Sequence, residues 1–150
     1  MGHTYASILL HVVFSTKDRQ RSISESFRRR LYEYMAGVAR GEFGRAIAIG
    51  GTEDHVHALL SIGTNRSVGE VMSKWKSLSS GWVHKTVPAA EAFGWQAGYA
   101  AFSVSSSSVR RVVRYIEGQV EHHKSQTFEE ELRLLLDRHG IAYEPRHLAE

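Results

Sequence analysis

The sequence has no cysteine in its 150 residues and only two prolines. Without a thiol there can be no disulfide, no thiolate nucleophile, no cysteine-type zinc site and no iron–sulfur cluster. It also lacks a run of about 18 apolar residues, the length a helix needs to cross a bilayer. No membrane partner is therefore expected. The uncharged stretch 1–16 contains two histidines and has neither the basic start nor the small-residue cleavage site of a signal peptide. A soluble, unexported, cytoplasmic protein is the expectation. No Walker-type or dinucleotide glycine motif occurs, Gly50-Gly51 being only a turn, so no nucleotide cofactor is expected either.

What is present is an ordinary globular composition, 42% apolar, 23% charged and 10% aromatic. That is neither a disordered nor a collagen-like chain. The length suits one domain over 1–150 with a normal core. Net charge is only +3, but it is unevenly spread. Residues 1–124 hold 16 basic and 10 acidic side chains, a balance of +6, whereas residues 125–150 hold 3 and 6, a balance of −3. A basic body with an acidic tail allows a polyanion partner, although on charge alone an ordinary solvated surface is the commoner explanation.

Ser7 to Phe14 is rich in β-formers and reads as a strand. A polar loop with Lys17, Arg19 and Arg21 follows. Ser24-Glu25-Ser26 opens a helix to about Arg40, with Phe27, Leu31, Tyr34, Met35 and Val38 on one face. Arg45 to Ile49 and Asp54 to Ile62 read as two strands joined at Gly50-Gly51. Ser67 to Lys85 is helical by its Val68, Val71, Met72, Trp75, Leu78 and Trp82 spacing. Trp95 to Val104 reads as a strand and Val109 to Lys124 as a helix. A last helix opens at the capping box Thr127 to Glu130 and ends at Gly140. The order β-α-β-β-α-β plus C-terminal helices predicts an α+β, ferredoxin-like (RRM-like) antiparallel sheet. Two helices would cover one sheet face and leave the other free for a site or a partner.

The chemistry concentrates in two places. In Asp54-His55-Val56-His57 the strand alternation puts His55 and His57 on one face and Val56, Ala58 and Leu60 on the other. Two imidazoles one strand repeat apart can share a cation, though a bare pair is also compatible with two polar-face histidines and lacks a third ligand. On the helix from Val109, the residues Val109, Val112, Val113, Ile116 and Val120 form an apolar stripe. Tyr115 and Gln119, four apart, lie at its edge. If that stripe docks on the free sheet face, a phenol and an amide oxygen join the two imidazoles. A phenol with a free pKa of about 10 is a poor nucleophile. It becomes an effective one against a phosphodiester polarised by a divalent metal.

His55-Val56-His57 followed by Tyr115 and Gln119 in Tyr-x-x-x-Gln spacing resembles the single-tyrosine HUH transposases. These are the TnpA-like enzymes of bacterial insertion sequences, including the REP-associated tyrosine transposases. Segments 11–17, 96–105, 115–123 and 138–143 also look like family segments, so the resemblance spans nearly the whole chain. It implies a ferredoxin-like fold with His55, His57 and Gln119 holding Mg²⁺ or Mn²⁺. Tyr115 would be the nucleophile, forming a 5′-phosphotyrosine on single-stranded DNA beside a hairpin. It also implies a homodimer, in which the Tyr helix often completes the partner subunit's site, and a metal-dependent DNA strand nickase and transferase that needs no ATP. Gly118 stands inside the Tyr helix where Asn is frequent in the family, and costs roughly 1 kcal/mol relative to Ala.

The remaining candidates are softer. Lys17, Arg19 and Arg21 in the first loop, Lys74 and Lys76 around Trp75, and Arg111 on the Tyr helix are candidate DNA contacts as a group. His122 and His123 read as surface histidines. Two other functions stay open: a hairpin-binding module that is catalytically inactive or domesticated, and a histidine-based metal hydrolase in which Tyr115 is dispensable.

Overall fold

The computed structural model describes residues 2–149. The strands are β1 (Leu9–Ser15), β2 (Gly44–Gly51), β3 (His55–Ile62) and β4 (Ala100–Ser103). The helices are α1 (Glu25–Glu42), α2 (Val68–Thr86), α3 (Val109–Glu117), α4 (Gln119–His122) and α5 (Phe128–Arg138). The strands form one antiparallel sheet in the order β2-β3-β1-β4, the ferredoxin-like arrangement. No helix among the described residues is long and apolar enough to cross a membrane.

One sheet face carries the main core. Ser24 caps α1 by accepting from the Ser26 amide, and Ser67 caps α2 by accepting from the Glu70 amide. Helical spacing then turns Phe27, Leu31, Met35 and Ala39 of α1, and Val71, Met72, Trp75 and Val83 of α2, onto Val12, Phe14, Val56, Ala58 and Leu60. Each large side chain so buried contributes roughly 1.5–3 kcal/mol. Trp75 is fully buried, and its indole N–H donates to the Met35 carbonyl at 2.9 Å, so its polar atom is satisfied.

The second face, left free by α1 and α2, receives the C-terminal helices, so the Val109–Ile116 stripe docks where the site was expected. α3 lays Ile116, Val109, Val112 and Val113 over Ala48 and Leu59. α5 lays Phe128, Leu135 and Leu136 over Val13 and Phe102. At Gly50 of β2 the α3 backbone comes so close that a Cβ would stand 2.1 Å from the Ile116 carbonyl oxygen. Glycine is what lets this helix sit down on the sheet. Between the two apolar packs the middle of the face is polar.

Three boundaries differ from the expectation for identifiable reasons. The strand read over 95–104 shortens to Ala100–Ser103, with Trp95 making only an isolated bridge to Thr16. The carbonyls of Gln96, Ala97 and Gly98 accept instead from the Lys76 ammonium at 2.5–3.3 Å, which takes them out of a ladder. The helix read over 109–124 divides at Gly118, so Val120 leaves the apolar stripe and is 52% exposed. β2 runs on through Gly50 and Gly51, read above as the turn, because both pair with β3 opposite His57 and Val56.

Candidate active site

The two central strands make the floor. The register places Val13 opposite His57 and Ser15 opposite His55. Alternation therefore points His11, His55 and His57 to the second face, and all three are buried. His11 Nε2 lies 2.8 Å from His57 Nδ1. His55 Nδ1 lies 2.7 Å from Asp54 Oδ1, and the Thr52 hydroxyl stands 3.0 Å from both of those atoms. The Phe128 ring stacks on the His55 ring at 4.5 Å, closing it from water.

The roof comes from the C-terminal helices. Tyr115 lies in the last part of α3, and Gln119, fully buried, opens α4. Glu131, 1% exposed, reaches in from α5. Its Oε1 accepts from His57 Nε2 at 2.8 Å and from His123 Nε2 at 3.0 Å, and stands 3.6 Å from His55 Nε2. Its Oε2 accepts from the Tyr115 hydroxyl and from Gln119 Nε2 at 3.1 Å. His55, His57, Tyr115 and Gln119, the residues singled out in the sequence, are thus brought together within one chain.

The bonds fix proton positions. A carboxylate only accepts, so His57 carries its proton on Nε2, and His11 must donate from Nε2 to His57 Nδ1. Burial pushes the pKa of His11 down to about 3, with the neighbouring His57 acting in the same direction. Burial likewise pushes His57 down to about 4, against the pull of Glu131. Both rings rest neutral, and ligation through His57 Nε2 would require its proton to move to Nδ1, with the His11–His57 bond reversing. Burial would raise Glu131, but the bonds from His123, His57 and Tyr115 outweigh it and keep the carboxyl ionised far below its usual range. Tyr115 is pushed well above the usual phenol range by burial and by the Glu131 carboxylate. For His123, burial acts downward, yet the bond to Glu131 wins and raises it.

The donor atoms suit a divalent cation. One ligand atom from each of His55, His57, His123 and Glu131 can be chosen so that all lie within 4.8 Å of one another. Gln119 adds a fifth donor. Its Nε2 is committed to Glu131 and to the Tyr115 carbonyl, so its Oε1 faces His55 Nε2 at 3.0 Å. With Nδ1 of His55 bonded to Asp54, its Nε2 is the nitrogen that turns, with Gln119 Oε1, toward the cluster. Neighbouring donor atoms stand 2.8–3.6 Å apart, so a cation bound among them would take over contacts that are hydrogen bonds and ion pairs in its absence. The Asp54–His55 bond is the carboxylate–histidine support that orients a ligating ring.

Two expectations change here. His123 is not a surface residue: its side chain is 11% exposed and bonded to Glu131. His122 is partly covered, its Nε2 buried and 3.4 Å from Glu131 Oε2 without a hydrogen bond. Glu131 and His11 are absent from the site read from sequence. Glu131 sits in an acidic first turn beside a helix cap, which by itself accounts for three glutamates. The signal was its position three after Phe128 and four before Leu135, on the apolar face of the helix.

The basic candidates are scattered. Arg19 covers the Phe128 ring at 4.9 Å, and Arg21 pairs with Glu53 at 3.7 Å. Lys74 pairs with Glu42 at 2.7 Å, while Lys76 is held by the three carbonyls described above. Lys17 is exposed in the first loop, and Arg111 donates to the Ser108 hydroxyl at 3.0 Å. Of the six, Arg111 shares a cavity wall with Tyr115, and Arg19 and Arg21 line a second cavity beside Asp54 and His123.

Residues 4–119 match the family model described as "Transposase IS200 like". A candidate transposase from Deinococcus radiodurans R1, solved at 1.90 Å, superposes with a TM-score of 0.59 at 21% identity, over 79% of this chain and 96% of its own. A REP-associated tyrosine transposase bound to a REP hairpin superposes with a TM-score of 0.55 at 13% identity, over 77% of this chain and 68% of its own. No curated protein matches the sequence. The two superpositions support the fold, and the family match covers the sheet, α1 to α3 and the tyrosine: this chain belongs to the IS200-like transposases.

Proposed function

We propose that this protein cleaves and rejoins single-stranded DNA at hairpin-flanked ends, with Tyr115 as nucleophile and a divalent metal held by His55, His57 and Gln119. Glu131 and His123 complete the ligand set. The observation that carries the reading is the convergence of a phenol, three imidazoles, an amide oxygen and a carboxylate on one buried point of the sheet. Three imidazoles with one carboxylate favour Mn²⁺ over Mg²⁺, which prefers oxygen ligands and keeps several waters.

When bound, the cation polarises the phosphodiester and offsets charge on the departing 3′ oxygen. The chain supplies the rest. Tyr115 stays protonated at rest, since burial and Glu131 both oppose its ionisation. Its hydroxyl already donates to Glu131 Oε2, which orients the phenol oxygen for attack on phosphorus, and a carboxyl held so far below its usual range relays the proton onward rather than keeping it. The Tyr115 Oη–P bond forms, the P–O3′ bond breaks, and the 3′ oxygen leaves and takes up a proton. The phosphotyrosine retains the bond energy for rejoining by a 3′-hydroxyl. Within one chain α3 rests on the sheet and closes the site, and the homodimer implied by the family resemblance would bring two such sites together.

The test is covalent capture. Labelled single-stranded hairpin DNA from the flanks of the gene is mixed with protein and Mn²⁺ or Mg²⁺ and run on a denaturing gel. A metal-dependent shifted band is expected, and it is expected to vanish in Tyr115→Phe with hairpin binding retained. Hairpin binding without any band, across several flanks, would instead identify an inactive binding module. Metal-dependent cleavage that persists in Tyr115→Phe would identify a hydrolase.

A further inference from the structure

Next to the nucleophile is a cavity of about 600 Å³ between β1, β4, α3 and α5. Tyr115 and His11 form its inner wall, Arg111 and Arg138 its outer one, and the hydroxyls of Ser105 and Ser108 its edge. No carboxylate lines it. Arg138 lies near enough for its charge to favour the Tyr115 phenolate. Arg111 and Arg138 are exposed and make no ion pair among the described residues, whereas Arg21, Lys74, Lys124 and Arg146 each face a glutamate. His139 stacks on Phe102 at 4.3 Å and forms a flat aromatic wall.

The cavity on the other side of the metal cluster, about 660 Å³, also has cations, namely Arg19, Arg21 and Lys124. It differs in sign, because Glu53, Asp54, Glu129 and Glu130 line it as well. A phosphate run entering there meets four carboxylates, while one entering beside Tyr115 meets none. Unneutralised guanidinium groups with their forked donors are the side chains best suited to phosphate oxygens.

We infer that the cavity beside Tyr115 is the subsite for the sugar–phosphate backbone of single-stranded DNA, Arg111 and Arg138 each neutralising one phosphate. This rests on the strand-transfer reading above and adds the direction from which the strand reaches the nucleophile. His139, stacked and exposed, is the platform for an unpaired base.

The experiment uses the full chain carrying Tyr115→Phe, so that binding is read without cleavage. Fluorescence anisotropy with a labelled hairpin carrying a single-stranded extension is followed over a salt series, alongside the same hairpin without the extension. Arg111→Gln and Arg138→Gln are each expected to weaken binding of the extended DNA and to reduce the slope of log K against log salt by about 0.7. Binding of the bare hairpin is expected to hold, and Arg29→Gln, on the far face, to change neither. Unchanged affinity and slope in both variants, with covalent capture intact in the protein carrying Tyr115, would overturn the subsite alone. Loss of slope in Arg21→Gln and Lys124→Gln instead would place the strand in the other cavity. If the parent protein captures no DNA and binds no extended oligonucleotide, the strand-transfer reading falls and the subsite with it.

Discussion

Glu131 accepts hydrogen bonds from Tyr115, His57, His123 and Gln119, and it does so while almost wholly buried. An isolated carboxylate in such a place would be strongly unfavourable, and a carboxylate with four donors is retained because its partners satisfy it. The same charge that organises the metal-free site is available as a ligand once a cation displaces the imidazole protons. Glu131→Gln keeps the shape and removes the charge. Mn²⁺ affinity is expected to fall on the order of tenfold or more, read by titration calorimetry on the otherwise intact protein. The metal-free variant is expected to lose roughly 1–3 kcal/mol of stability, because an amide cannot accept at both heads. An unchanged Mn²⁺ affinity would remove Glu131 from the ligand set.

At the scale of elements, the position of Tyr115 depends on how closely α3 approaches β2. The backbone contact at Gly50 leaves no room for a methyl group. Gly50→Ala is therefore expected to lift α3, lower stability by roughly 1–3 kcal/mol and slow adduct formation. Hydrogen exchange is the sharper readout: the α3 amides should lose protection before those of α1 and α2 do. Uniform loss across the chain would mean that Gly50 serves the sheet rather than the tyrosine helix. The existence and type of the elements were legible from sequence because periodicity is a local signal; Phe27, Leu31 and Met35 mark α1 as clearly in the sequence as in the core. The ends were not, because they are set by distant groups. Lys76 takes the carbonyls of residues 96–98 out of the ladder, and nothing near Trp95 announces it. His55, His57, Tyr115 and Gln119 were legible through spacing and family resemblance. Glu131 was hidden because a helix-opening acidic run explains a glutamate without a site. His123 was hidden because nothing local reveals that α5 covers it.

The whole molecule is a sheet with an apolar core on one face and, on the other, a polar cluster walled by two smaller apolar packs. That arrangement makes stability depend on pH in a definite direction. His11 and His57 titrate at about 3 and about 4 in the folded protein, against about 6.5 when the chain is unfolded. Between these limits the unfolded state binds the protons, so stability falls as the pH falls below about 6.5. Glu131 acts in the same sense: its folded pKa is depressed, so its contribution is present above the ordinary carboxylate range and is lost on further acidification. His123 acts in the opposite sense, since its raised pKa adds stability below about 6.5 that disappears as the pH rises. Two deeply buried imidazoles and a buried carboxylate outweigh one histidine at the edge of the cluster. The stability of the metal-free protein is therefore expected to drop steadily from pH 6.5 to pH 4, by at most about 1.4 kcal/mol per pH unit for each buried histidine, and its melting temperature with it. Saturating Mn²⁺ should raise the whole curve, and raise it most near neutral pH, where protons do not compete for the imidazoles. A flat melting profile from pH 6.5 to pH 4 in the metal-free protein would mean that the histidines are already charged in the folded state and that the neutral, ligand-ready cluster is wrong.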